Sequence, residues 1–246
     1  MSNIINFPKP REGGKWFEIK NLTDETADIF IYDQIGDGMF GGGISATNVI
    51  DQIKALGDRK LNVRINSPGG SVFEGVAIYN ALARHPGEVT TYVDGIAASI
   101  ASVIAMAGRK ILIAENAMMM IHDPSTLVWG GSAELRKQAD VLDQIKETLI
   151  TTYATRTGME REKISALMSA ETWFTAQEAV ALKLADEQVA GVKAAACFDL
   201  SSYGYVKAPG AVAVANSSQP SIEGTPSFSA TPRSLLNRRQ ALNEKL

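Results

Sequence analysis

The sequence predicts an α/β fold in which strands and helices alternate and neighbouring strands run parallel. Three observations predict it. Short runs rich in β-branched and aromatic residues, such as 27–32 and 61–66, are followed by stretches with helical spacing of apolar residues, such as 72–83. Glycine- and proline-bearing turns separate them, Ser67-Pro68-Gly69-Gly70 above all. Strands that alternate with helices also imply right-handed crossovers between parallel neighbours. With 246 residues, 45% of them hydrophobic, the chain can bury one substantial core.

Taken in order, residues 1–21 read as a polar N-terminal arm with two prolines and no apolar segment of signal-peptide length. Residues 27–32 form the first strand. The glycine-rich loop 36–43 lacks the spacing of a dinucleotide or P-loop fingerprint and has no lysine at the right place, so phosphate binding is not expected. Ser45 to Asn48 open a helix whose apolar positions are Val49, Ile50, Ile53 and Leu56, with Gly57 as its stop. Residues 61–66 alternate with period two into the Pro-Gly-Gly turn, and 72–83 return to helical spacing. A strand over 88–93, a helix over 99–107, a strand over 110–114 and a short buried strand over 118–121 follow.

A long helix begins at Ser132 and ends near Gly158, with Leu135, Leu142, Ile145, Leu149 and Tyr153 spaced by three, four or seven. Most of its surface is polar. It either protrudes towards another subunit or packs on its own core. Residues 159–168 read as another helix, and Thr175-Ala176-Gln177-Glu178 fits a capping box opening a last core helix over 176–184. After residue 193 the composition turns to Ala, Ser, Gly and Pro. That divides the chain into a core domain over 22–193 and a low-complexity tail over 194–246, largely disordered, with a short candidate helix at 234–242.

Composition narrows the function. The net charge is −3, with neither a basic stripe nor an RNA-binding signature, so no nucleic-acid surface is expected. The most apolar window, 96–107, is too short to cross a bilayer and is closed by Gly108-Arg109-Lys110. No membrane span follows. Cys197 is the only cysteine and forms no internal disulfide, which fits a cytoplasmic location. No His/Cys spacing suits a metal, and no cofactor is implied.

Serine acyl transfer needs a base, a group that orients the base, and at least two N–H donors for an oxyanion. Ser99 sits among small residues where an extended run gives way to a helical one, facing the positive end of the helix dipole. His122 ends a buried strand. His85, the other histidine, precedes Pro86 in a loop and reads as a surface residue. Gly69 and Gly70 leave room for a substrate backbone and can aim N–H groups into a pocket, and the N–H of Ile100 directly follows Ser99. Ser102, one helical turn further, is a weaker competitor for the nucleophile.

The motifs Ile65-Asn66-Ser67-Pro68-Gly69-Gly70-Ser71-Val72, Gly95-Ile96-Ala97-Ala98-Ser99-Ile100-Ala101-Ser102 and Met120-Ile121-His122-Asp123-Pro124, with Phe174-Thr175-Ala176-Gln177-Glu178-Ala179 beyond them, closely resemble the ClpP family of self-compartmentalising serine peptidases. The resemblance covers about residues 29–186. It implies a ClpP/crotonase-like fold of repeated β-β-α units with a protruding helix. It also implies Ser99 as nucleophile, His122 as base, and Gly70 and Ile100 as oxyanion donors, with Ser71 to Phe73, Val72 included, lining a cleft that holds substrate as an added strand. In the family the third catalytic residue is an aspartate shortly before the Phe-x-Ser/Thr-Ala motif. Here Glu171 is the only carboxylate near that place, and it is assigned to the role. Lys183 stands where the family usually has a glycine at the helix end.

The resemblance further implies a homo-oligomeric ring of six or seven subunits, single or stacked in a double ring, with an ATPase partner left open. Glu171-Thr172-Trp173 and the Ser/Pro/Gly-rich extension look like the phage-encoded branch of ClpP-like head maturation, or prohead, proteases, which implies scaffold and capsid proteins as substrates in an assembling head or a bacterial host cytoplasm. Two readings of other classes stand beside it. One is a crotonase-type enzyme that holds an acyl-CoA thioester oxyanion on paired N–H groups. The other is a non-catalytic assembly or scaffold-binding protein with an idle site. Tail segments 208–210 and 217–232 are expected to be exposed enough for self-cleavage.

Overall fold

The computed structural model describes residues 17–21, 25–36, 43–191, 198 and 200–209. Most of the tail, including the candidate helix at 234–242 and Cys197, and residues 37–42 of the glycine-rich loop lie outside the described residues. The described residues belong to one compact unit. Its centre is a parallel run of four strands, β2 (Thr26–Ile31), β3 (Lys60–Ser67), β4 (Val89–Ala98) and β5 (Lys110–Ala114). Their inward Ile29, Ile31, Val63, Ile65, Val93, Ile111 and Ile113 are fully buried, as expected of strands covered on both faces.

β4 is the longest strand, and it forks. Thr90–Val93 pairs with β5, whereas Ile96–Ala98 pairs with the short strand β6 (Met118–Ile121). β6 in turn pairs antiparallel with β7 (Thr172–Thr175). The sequence reading stops this strand at residue 93. It continues to Ala98 because partners far along the chain supply the second ladder, and local spacing does not report them. On the far side of β5 lies β8 (Glu187–Val189), also parallel and also absent from the sequence reading.

The polar arm needs correction in the same way. Residues 17–21 form an edge strand, β1 (Phe17–Asn21), antiparallel to β2. Ile19 packs against the core, and Lys20 lies over the Phe30 ring at 5.5 Å. Five residues are too few for a period-two pattern to stand out. Charged Glu18 and Lys20 suit an edge that must not pair with another chain.

The helices α1 (Ala46–Ala55), α2 (Val72–Ala83) and α3 (Ile100–Ala105) follow β2, β3 and β4, as the alternation predicts. α6 (Ala176–Ala181) opens on the expected capping box: the Thr175 side chain accepts from the Glu178 N–H, and Glu178 accepts from the Thr175 N–H. It ends earlier than predicted, at Leu182, and Lys183 takes the left-handed conformation at φ 59° that a glycine would adopt more cheaply. His85 is buried rather than on the surface. Its Nε2–H donates to the Arg59 carbonyl at 2.7 Å, because the chain leaving α2 folds back against the turn that follows α1.

The long helix α4 (Ser132–Thr157) divides in two. From Leu149 onward it buries Ile150 and Tyr153 in the core, and its C-terminal cap is Gly158 at φ 70°. Residues 132–137 and the preceding 125–131 are exposed, among them Leu127, Trp129 and Leu135. α5 (Arg161–Ser169) returns the chain to β7. Among the described residues no helix is long and apolar enough to cross a membrane.

One buried polar cluster ties β3 to β4. Arg64 donates Nε–H to Asp94 Oδ2 at 2.8 Å and Nη2–H to Oδ1 at 2.7 Å, while the Tyr32 hydroxyl donates to Oδ2 at 2.5 Å. Removing one member of a buried pair leaves the other charge uncompensated. Asp94→Ala is therefore expected to destabilise the fold by about 3–5 kcal/mol, read as a lower urea midpoint.

Candidate active site

Ser99 is the single residue between the end of β4 and the start of α3, and its backbone has φ 55° and ψ −128°. A non-glycine residue at positive φ is uncommon and costs about 1–3 kcal/mol, so its neighbours must hold it there. They do so from three sides. The Ser99 N–H donates to the Met120 carbonyl of β6 at 2.9 Å. Its own carbonyl accepts from the Ser102 N–H at 3.0 Å and from the Ser102 hydroxyl at 2.6 Å. Ser102 is fully buried and also shares a 2.7 Å hydrogen bond with the Tyr153 hydroxyl of α4. It thus props the Ser99 turn and faces away from solvent.

The Pro-Gly-Gly turn lies against this junction. A Cβ on Gly69 would come within 2.8 Å of both the Ala98 carbonyl oxygen and the Ser99 Cβ, and its φ of 99° favours glycine independently. The turn is held by Ser67, whose hydroxyl accepts from the Gly69 N–H at 3.2 Å, and by Ile35, which accepts from Ser71 N–H and donates to the Gly69 carbonyl, each at 2.8 Å. Both bonds of Ile35 go to the residues flanking Gly70, so the exposed Gly70 N–H is left without a hydrogen bond among the described residues. Ile100 opens α3, where the first N–H groups have no helical acceptor. Ser71 and Val72 are partly exposed at the start of α2, and Phe73 is exposed beside them.

His122 follows β6 directly, and its Nε2 lies 2.8 Å from Ser99 Oγ. Burial lowers its pKa below the ordinary 6.5, against the opposing pull of the Glu171 and Asp123 carboxylates. At neutral pH the ring is therefore uncharged, and its free Nε2 lone pair can take a proton from the hydroxyl. Asp123 is engaged elsewhere, accepting from Lys146 Nζ and from the Ser169 hydroxyl, each at 3.0 Å.

Glu171 reaches the same place by sheet register. In the β6–β7 ladder Met120 faces Trp173 and Ile121 faces Thr172, so the next rung would set His122 opposite Glu171. The residue takes a left-handed φ of 47° just before β7. No hydrogen bond among the described residues joins its carboxylate to His122. It accepts instead from Trp173 Nε1–H at 3.2 Å, Val206 N–H at 2.8 Å and Lys207 N–H at 2.6 Å. Partial burial opposes ionisation, but the two backbone N–H groups, the indole and the nearby His122 hold the carboxyl below its usual range.

Those last partners belong to the stretch that composition assigns to the tail. After a 3-10 turn at Leu200–Tyr203 the chain lies across the site. The Tyr205 ring meets His122 edge-on at 5.3 Å and Trp173 at 5.8 Å, and its hydroxyl donates to the Pro68 carbonyl. Sequence reasoning missed Tyr205 and Trp173. The only signal for the first was a Tyr-x-Tyr pair in a stretch poor in large side chains.

The arrangement can perform acyl transfer, and among the described residues no group of three or more His, Cys, Asp or Glu could hold a metal. Residues 11–191 match the family model described as Clp protease. The chain is 36% identical over 153 residues to the ATP-dependent Clp protease proteolytic subunit 3 of Streptomyces coelicolor, covering 59% of this chain and 70% of that protein. It is 31% identical over 196 residues to the corresponding subunit 2 of Corynebacterium efficiens, covering 77% and 96%. Among solved structures, a ClpP1 mutant from Listeria monocytogenes superposes with a TM-score of 0.59 at 24% identity over 68% of this chain and 92% of that one, which shows a shared fold.

Two outcomes follow from the geometry. Because Glu171 raises the His122 pKa, Glu171→Gln should move the acid limb of Ser99 acylation by a fluorophosphonate to lower pH, and a move to higher pH would contradict the coupling. Ser102→Ala should leave the adduct on Ser99 but strand the buried Tyr153 hydroxyl, lowering the denaturation midpoint by the equivalent of about 1–3 kcal/mol.

Proposed function

The chain belongs to the Clp protease family of serine peptidases, and we propose that it is an endopeptidase acting through Ser99 and His122. The observation that carries this reading is the 2.8 Å contact between Ser99 Oγ and His122 Nε2 at the strand–helix junction. Ser99 Oγ attacks the scissile carbonyl carbon while His122 Nε2 takes its proton. The resulting oxyanion is held by the N–H groups of Gly70 and Ile100. Collapse expels the amine, which receives the proton from His122 and leaves an acyl-Ser99. Water then attacks the ester while giving a proton to His122, and collapse releases the new carboxyl terminus as His122 returns that proton to Ser99 Oγ. Gly69 keeps the floor of the cleft low, and Ser71 and Val72 offer an edge along which substrate can lie as a strand. Glu171, opposite His122 in the continued β6–β7 register, is the orienting carboxylate when its oxygens are free.

The assembly proposed is a ring of like subunits. Leu127, Trp129 and Leu135 leave an apolar surface at the exposed end of α4 that suits another copy of the chain, and such rings can stack through it. The relatives compared above are named as subunits of ATP-dependent proteases, which supports an ATPase partner. Capsid and scaffold proteins are the substrates proposed from the Glu171-Thr172-Trp173 resemblance to phage head maturation proteases, in the cytoplasm of a bacterial host or in the assembling head. The named relatives themselves are bacterial Clp subunits. The crotonase-type reading has less support, since thioester oxyanion binding requires no Ser–His pair.

A fluorophosphonate probe with mass spectrometric mapping tests the chemistry. The adduct should fall on Ser99 and vanish in Ser99→Ala and in His122→Ala, while both variants keep the wild-type thermal midpoint to within a few degrees. A folded wild-type protein that takes no label would move the non-catalytic assembly reading to the front.

A further inference from the structure

We propose that residues 203–207 are a built-in inhibitor of the site, a strap that holds the Tyr205 side chain over the Ser99–His122 pair and is displaced when substrate enters. The inference rests on the peptidase reading above and adds an occupant to its cleft. The strap touches the turn after β3, the strip following β6 and the start of β7. Tyr205 donates to the Pro68 carbonyl beside Gly69, whose own backbone lies against Ser99. Its ring covers His122 at 5.3 Å and meets Trp173 at 5.8 Å, and Tyr203 stacks behind it with ring centroids 6.1 Å apart. The backbone is clamped as well. Val206 and Lys207 N–H each bond one oxygen of Glu171, and Lys207 Nζ bonds the Ala170 carbonyl.

The chemistry of the contact explains why such a segment inhibits. What it presents to Ser99 is a phenol, which has no acyl carbon to attack and no leaving group to expel, so the side chain fills the space of a substrate without becoming one. The clamp also occupies both oxygens of Glu171, the group opposite His122 in the continued β6–β7 register. Docking therefore blocks access to the nucleophile and diverts the carboxylate that would orient the base. Apart from Tyr203 and Tyr205 the strap is exposed, Val206 fully so, and this suits a segment that must leave readily.

The test uses the full chain, as wild type, Tyr205→Ala and Val206→Pro, the last removing one N–H from the Glu171 clamp. Hydrogen–deuterium exchange reads docking without relying on catalysis, and the rate of Ser99 labelling by a small fluorophosphonate reads access. Slow exchange at the Val206 and Lys207 amides in wild type, fast exchange at Lys207 in both variants, and faster labelling of both variants with an unchanged thermal midpoint are expected. The increase would be about tenfold if the strap is docked nine-tenths of the time. Amides that exchange in wild type at the rate of an unstructured peptide would overturn the proposal, and so would equal labelling of wild type and Tyr205→Ala. Protected amides with no label on any of the three proteins would instead remove the peptidase reading, and the inhibitory role with it.

Discussion

The backbone of Ser99 is the constraint around which the molecule is arranged. A non-glycine residue at φ 55° persists only if its surroundings over-determine it, and here they come from distant parts of the chain. Met120 of β6 takes its N–H, Ser102 of α3 takes its carbonyl, and the turn after β3 lies so close to its Cβ that only a glycine fits at position 69. β6 can supply that carbonyl only because β4 runs on past its pairing with β5 to form a second ladder. The forked sheet and the placement of the Ser99 hydroxyl are thus one feature seen at two scales.

Electrostatics at the site reduce to a competition for one carboxylate. Burial favours uncharged imidazole, which suits a base, while the Glu171 charge favours imidazolium, which suits the step in which the ring carries a proton. Both demands are met when the carboxylate is close but not itself deeply buried. The same accessibility makes it a ready acceptor for any backbone N–H that arrives, and those of Val206 and Lys207 have done so. A free carboxylate beside a cleft built for peptides will attract a peptide, including one from its own chain.

Much of this was legible in the sequence, for identifiable reasons. The Ser99 junction, the Pro-Gly-Gly turn, the Thr175 capping box and the Gly158 helix end are local signals, in which residue type and conformation are separated by four positions at most. The continuation of β4, the short strands β1, β7 and β8, and the burial of His85 were not, since each depends on a partner elsewhere in the chain, up to 75 residues away, that the local pattern does not report. Tyr205 was the hardest case. A tyrosine in a stretch of small and polar residues looks solvated until the surface it covers is known, and that surface is assembled from segments starting at Pro68 and ending at Trp173.

The register of β6 against β7 has a consequence for how this architecture can vary. A one-residue slip in a strand turns every side chain to the opposite face, so the spacing of His122 from Ile121 and of Glu171 from Thr172 admits no insertion. The segment between them is under no such restriction until α4 meets the core near Leu149. Whole turns, each about 5.4 Å, could be added to or removed from the outer half of α4 without moving the histidine relative to the serine. The reach of the outer helix and the geometry of the serine–histidine pair can therefore evolve as separate traits of a single gene.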